Sequence, residues 1–419
     1  MIILLFHIAF NLLYDIMKKN DREEDFSMTR ISELAKEHLT RQIIPFWLAL
    51  QDKTYGGFYG YVGYDLKVDP QYEKGCILNS RILWFFSEAA RTLNDPACKE
   101  AADHAYRFLS EHCVDEENGG VFWSVTYDGQ PSDTTKHTYN QAFALYALGA
   151  YYRLTGNEEA LELALGIFHL IEEHCTDEEG YLEAFTIDWG PESNEKLSEN
   201  GVMADKTMNT LLHVLEGYAG LYQASHDPEV GQAMRRCLSI YADHIYSPEQ
   251  KHNLVFFDAH YNSIIDLYSY GHDIESSWLV DWACDLLEDR DLSEKIHAID
   301  KILADSVYAI AYKDHSLANE CDRGKVDEKR VWWVQAEAVL GFVNRWLKAP
   351  EDTEYRQAAA DTFCFIMNKL VDPRSGEWYH DLYPDGTPYE LPIVEPWKCP
   401  YHNGRMCMEL IRRDPDVEI

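Results

Sequence analysis

The sequence predicts an all-α fold, an (α/α)6 barrel of six inner and six outer helices, with short β-hairpins in the outer-to-inner loops. Three observations predict it. Helical segments of two kinds alternate along the chain. Their starts recur roughly every sixty to seventy residues, as in a repeated helical hairpin. The links from the first kind to the second repeat a glycine followed by a short aromatic run. A helix that is apolar all round must be covered on every side, whereas a one-sided helix covers one neighbour and faces water. Apolar helices each covered by an amphipathic partner close into an inner and an outer ring.

The elements follow in order. Residues 1–17 are largely apolar but too short to span a bilayer comfortably. They lack the basic start and small-residue cleavage site of a signal peptide, and Lys18-Lys19 and a charged run follow. Residues 1–27 are therefore expected to be a dispensable extension, and residues 28–419 a single catalytic domain. The amphipathic set is 31–50, 99–112, the stretch carrying Leu161, Ala164, Leu165, Phe168 and Ile171, then 230–246, 292–312 and 355–370. In each, apolar residues follow one helical face. The apolar set is 77–90, 142–152, 208–222, 274–287, 331–347 and about 402–411.

Gly56-Gly57-Phe58-Tyr59, Gly119-Gly120-Val121-Phe122-Trp123, Gly180-Tyr181-Leu182 and Gly376-Glu377-Trp378-Tyr379 each follow an outer helix. Two of them lead into turns at Asp128-Gly129 and Asp385-Gly386, the signature of a β-hairpin. All should project from the end where the inner helices begin, which makes that end the expected active face.

Composition narrows the function. Acidic residues outnumber basic ones 72 to 37, a formal charge of −35. That field repels phosphate backbones, so nucleic acid is not an expected partner. No membrane partner is expected either, and nothing demands more than a monomer. The ten cysteines are scattered, which reads as small buried residues in a reducing compartment, the cytoplasm. Cys399 and His402 have a zinc-like spacing, but no second pair supports it. With no HExxH, EF-hand loop or P-loop in the sequence, neither metal nor cofactor is expected.

Arg81, Tyr139, Asn140, Asn209, His213, His272, Glu275, Trp332, Trp333, Glu337, Trp397 and His402 all fall at or near inner-helix starts. Polar groups in an apolar ring are costly unless paired or used, so their convergence points to a site. His213, His272 and His402 come from three different repeats, whereas His104, His169 and His174 lie on outer helices and read as structural. Two histidines on rigid helix ends can take a proton from one face of a small molecule and return it to the other. Glu275, one turn beyond His272, is expected to hydrogen-bond it and fix its tautomer. Glu337 either binds a hydroxyl or pairs with Arg81 or another cation. Of Trp332, Trp333 and Trp397, one or two should stack on a sugar ring. Arg81 can stabilise an oxyanion or neutralise nearby carboxylates.

Segments 136–144 (KHTYNQAFA), 205–213 (DKTMNTLLH), 269–275 (SYGHDIE), 331–337 (VWWVQAE) and 397–405 (WKCPYHNGR) resemble the cellobiose 2-epimerases of the N-acylglucosamine 2-epimerase superfamily. The similarity runs from about residue 28 to the C-terminus. It implies an (α/α)6 barrel that epimerises the reducing-end glucose of β-1,4-disaccharides at C2. Cellobiose would give glucosyl-mannose and lactose epilactose. By the resemblance His272 and His402 are the acid/base pair and Glu275 the partner of His272. Arg81 and His213 would hold O1 and the enediolate oxygen, and Tyr139, Asn209, Trp333, Glu337 and Trp397 would contact the sugars. A ring-opened sugar has a C2 proton α to a carbonyl, which a histidine can remove without metal or nicotinamide. The alternatives are an N-acylglucosamine 2-epimerase or mannose isomerase on the same barrel. A glycoside hydrolase would need two carboxylates in place of two histidines, and a helical-repeat scaffold would have no use for the histidines.

Overall fold

The computed structural model describes residues 29–198 and 200–419, and the extension expected at residues 1–27 lies outside them. Helix α1 (Ile31–His38) continues through a wide π-type turn, Leu39–Ile43, into Ile44–Leu48. Then come α2 (Cys76–Leu93), α3 (Pro96–Phe108), α4 (Thr138–Thr155), α5 (Glu158–His174) and α6 (Met208–Ser225). α7 (Pro228–Ile240), α8 (Tyr270–Asp285), α9 (Arg290–Ile310), α10 (Trp332–Lys348), α11 (Thr353–Phe365) and α12 (His402–Arg413) complete the order. Even-numbered helices form the inner ring: each packs on the next, and α12 returns to α2. The ring is closed, so the fold is the expected (α/α)6 barrel.

Its walls are tight. A Cβ on Gly217 would come within 2.8 Å of the Ala142 carbonyl oxygen, and one on Gly341 within 2.8 Å of the Ile274 carbonyl oxygen. These glycines let α4 approach α6 and α8 approach α10 at backbone distance.

Local chemistry explains the two kinds of connection. Inner helices pass to outer ones through a short turn four times. Asn94, Gly156, His226 and Glu288 take left-handed backbone angles, with φ of 53°, 70°, 53° and 52°. The next residues, Asp95, Asn157, Asp227 and Asp289, then accept backbone N–H bonds at the start of the following helix. At Asn94, Gly156 and His226 a left-handed C-cap followed at once by an N-cap reverses the chain in two residues, whereas Glu288 stands two residues beyond the C-cap Leu286.

The outer-to-inner connections are longer and hold the hairpins. Asp52, Asp115 and Asp177 each collect backbone N–H groups from the turn that follows. A buried lysine from the entry to the next inner helix completes each one. Lys74 meets Asp52 at 2.7 Å, Lys136 meets Asp115 at 2.8 Å and Lys206 meets Asp177 at 2.8 Å. Side-chain amides on the inner helices dock the same loops: Asn79 accepts from Phe58 N–H, and Gln141 and Gln335 clasp Val121 and Leu317.

The hairpins also interlock. Lys74–Gly75 pairs with Ser124–Val125, Lys136–His137 with Ala184–Phe185, and Lys206–Thr207 with Phe256–Phe257. Leu267–Ser269 pairs with Glu320–Asp322 and Arg330–Val331 with Asp381–Leu382, and a bridge from Val62 to Val394 closes the circle. All of these pairings are antiparallel, and each joins the entry of one inner helix to the hairpin of the next repeat. The hairpins thus share one end, where α2 to α12 begin. No helix among the described residues is long and apolar enough to cross a membrane.

Candidate active site

His272 sits in the first turn of α8, and its Nδ1 lies 2.7 Å from Ser269 Oγ. His402 opens α12, with Nδ1 2.7 Å from Glu337 Oε1. The half-buried Trp333 stands against both imidazoles, with ring centroids 4.8 Å from His272 and 5.6 Å from His402. The two histidines therefore face a shared space. His213 approaches from α6, with Nδ1 held by Glu216 at 2.7 Å and its ring 5.1 Å from that of Tyr139. Nε2 of all three makes no hydrogen bond among the described residues, which leaves those nitrogens to a ligand.

Arg81 faces the same space from α2. Its Nη2 donates to Tyr139 Oη at 2.8 Å and its Nη1 to the Trp397 carbonyl at 3.4 Å, while its guanidinium lies 4.1 Å from the centre of the Phe143 ring. Arg81 Nε and the buried Oδ1 of Asn209 have no partner among the described residues. Trp397 lies half-buried at the rim, 5.9 Å from the Tyr139 ring and 5.7 Å from that of Trp123.

Burial governs the protonation states. It pushes His272 down to about 3, with the neighbouring His213 adding to the effect. His402 is held well below the usual imidazole range by burial and by the charges of Arg405 and Arg81. Both are therefore neutral at pH 7, the form a general base needs. Where Glu337 accepts from Nδ1–H, the lone pair of His402 is on Nε2.

Behind the histidines lies an assembly whose centre is Arg405. Its Nη1 reaches Glu216 Oε1 at 2.5 Å, and its Nη2 reaches Glu275 Oε1 at 2.5 Å and Glu337 Oε1 at 2.8 Å. Tyr401 donates to Glu216, and Trp278 Nε1 donates to Glu337 Oε2 at 2.9 Å. Burial alone would raise Glu216, but Arg405 and His213 prevail and hold it at about 2. Burial and the neighbouring Glu337 push Glu275 up to about 8, and burial raises Glu337 as well, so these two carboxyls share the proton of the assembly. Glu275, Glu337 and His402 offer ligand atoms within 4.8 Å of one another, but Arg405 is already the cation among them.

Three expectations are corrected or settled by this geometry. Glu275 does not hydrogen-bond His272: Ser269 takes that nitrogen, while Glu275 Oε1 accepts from Arg405 Nη2. Of the two readings of Glu337, pairing with a cation holds and binding a hydroxyl does not: it is fully buried, with its oxygens on Arg405, His402 and Trp278. Trp332 is also buried, edge-on to His402 and beneath Lys398, which leaves Trp333 and Trp397 as the exposed ring faces. Asn140 is structural as well, donating to the Phe122 carbonyl at 2.7 Å. Glu216, Ser269 and Arg405, which contact these histidines or their carboxylates, are not among the residues the sequence singles out. Glu216 had a signal, an acid three residues after His213 within an apolar helix, and Arg405 follows His402 at the same spacing.

The comparisons with known proteins decide the family. The sequence model described as N-acylglucosamine 2-epimerase matches residues 57–404. The chain belongs to the N-acylglucosamine 2-epimerase family. Within that family it is 48% identical to a cellobiose 2-epimerase of Eubacterium cellulosolvens, over 92% of this chain and 99% of that one. A solved structure of a sugar epimerase from a ruminal bacterium is 46% identical, with a TM-score of 0.91 over 92% of this chain and 100% of that one. A solved cellobiose 2-epimerase from Bacillus thermoamylovorans is 43% identical, with a TM-score of 0.89 over 91% of this chain and 99% of that one.

Proposed function

We propose that this family member is a cellobiose 2-epimerase, an isomerase that interconverts glucose and mannose at the reducing end of β-1,4-linked disaccharides. The observation that carries the reading is the pair of neutral imidazoles, His272 and His402, both packed against Trp333. A closed sugar has no acidic proton at C2, so the ring opens first to the aldehyde. One histidine then removes the C2 proton. The cis-enediolate that forms is met by Arg81, a cation that stabilises developing negative charge, while His213, neutral with Nδ1 on Glu216, offers Nε2 as an acceptor to a sugar hydroxyl. Rotation about C2–C3 turns the other face towards the second histidine, which takes up a solvent proton and delivers it to C2, while the first histidine releases its proton to solvent. Tyr139, Asn209, Trp333 and Trp397 hold the sugars. No step calls for a metal or a redox cofactor.

The reading extends to lactose, giving epilactose, and to short β-1,4 oligosaccharides. It assigns residues 28–419 to one catalytic domain, and nothing in the proposed mechanism demands more than a monomer. Its ten unpaired cysteines favour a cytoplasmic location.

Parallel assays on cellobiose, mannose and N-acetylglucosamine test the substrate class. We expect kcat/KM for cellobiose to exceed the other two by at least about tenfold. Preference for N-acetylglucosamine or for mannose would move the enzyme to another activity of this barrel. Release of free glucose would indicate a hydrolase.

A further inference from the structure

The two histidines that lean on carboxylates lean on the same cation. Glu216, which holds His213, stands on α6; Glu337, which holds His402, stands on α10; Glu275 stands on α8. All three bind Arg405 of α12, at 2.5, 2.8 and 2.5 Å respectively, so four of the six inner helices meet at one guanidinium. Arg405 is only 2% exposed, and water does not compete for it. His272 stands outside this assembly, on Ser269.

We infer that Arg405 is a positioning residue that sets His213 and His402 as one unit, each with Nδ1–H on its carboxylate and Nε2 free for the sugar, while His272 is set independently. A buried carboxylate without a cation takes up a proton. It can then donate to Nδ1 and flip the imidazole to the tautomer whose Nε2 carries hydrogen and cannot act as a base. One planar fork reaches Glu216 on one side and Glu275 and Glu337 on the other; an ammonium cannot span both. The kinetic consequence rests on the epimerase reading above, but the tautomers do not.

The groups facing His402 are Glu337 on α10, Glu275 on α8, Arg81 on α2, His213 and Glu216 on α6, and Arg405 on its own helix. In Arg405→Lys, Glu337 loses its close cation, which favours the imidazolium of His402. The expected result is a fall in kcat on cellobiose of about a hundredfold with KM changed by less than about threefold. The acid limb of the kcat–pH profile should move to higher pH. A residue with a merely structural role would lower the unfolding temperature and leave that limb in place. An unmoved limb, or undiminished kcat, overturns the inference.

Should Arg405→Lys fail to fold, the unsubstituted protein decides. In nitrogen NMR of the protein labelled with 15N-histidine at pH 7, His213 and His402 should both be neutral and protonated on Nδ1. A proton on Nε2 of either one overturns the inference. This measurement needs no substrate, so its failure is distinct from failure of the epimerase reading.

Discussion

His402→Ala should lower cellobiose epimerisation by about 10²- to 10⁴-fold, the range expected for loss of a positioned general acid or base. His272→Ala should do the same, because removal and return of the proton from opposite faces cannot be shared by one imidazole. Both variants should stay folded. In His402→Ala, Glu337 keeps Arg405 and the Trp278 N–H as partners, so no buried charge is stranded. Among the described residues His272 hydrogen-bonds the Ser269 hydroxyl, a neutral group that its loss leaves without a stranded charge. Circular dichroism and the unfolding temperature check the fold, and initial rates check the chemistry. A folded His402→Ala enzyme with more than about a tenth of the wild-type rate would remove His402 from the mechanism.

The largest expected effect on stability lies away from the chemistry. Lys136→Met keeps the length of the side chain and removes its charge. Lys136 is fully buried, with Nζ 2.8 Å from Asp115 Oδ2 and 2.8 Å from the Gly119 carbonyl. Its loss leaves Asp115 with only the N–H groups of Glu117 and Asn118 and the Asn118 amide. Breaking one partner of a buried ion pair costs about 3–5 kcal/mol, and urea unfolding should show it. The exposed pair Arg290–Glu294, also within 3.0 Å, gives the contrast: Arg290→Ala should change stability by less than about 0.5 kcal/mol. Equal effects at the two positions would mean that the hairpin clamps do not hold the active face together.

Much of the fold was legible because its signals are local. Whether a helix is apolar on one side or on all sides is visible within a few turns, and the glycine and Asp-Gly punctuation marks each hairpin. The end on which the histidines gather follows from that plan. What the sequence hid is long-range pairing. Arg405 finds Glu216, Glu275 and Glu337 at separations of 189, 130 and 68 residues, and no spacing rule predicts such contacts. Glu275 shows the limit of helical periodicity. Three residues put it on the face of His272, but side-chain direction took one to Ser269 and the other to Arg405. Trp332 and Trp333 were indistinguishable as neighbours in sequence, and only the rotation of α10 buries one and leaves the other beside both histidines.

The most direct test of the central claim is proton NMR of cellobiose incubated with the enzyme in deuterated water, without added metal. Proton transfer through His272 and His402 predicts a mannose-type reducing end that carries deuterium at C2. An epimer that keeps its original C2 hydrogen would contradict exchange through the imidazoles, and unchanged cellobiose would contradict the substrate.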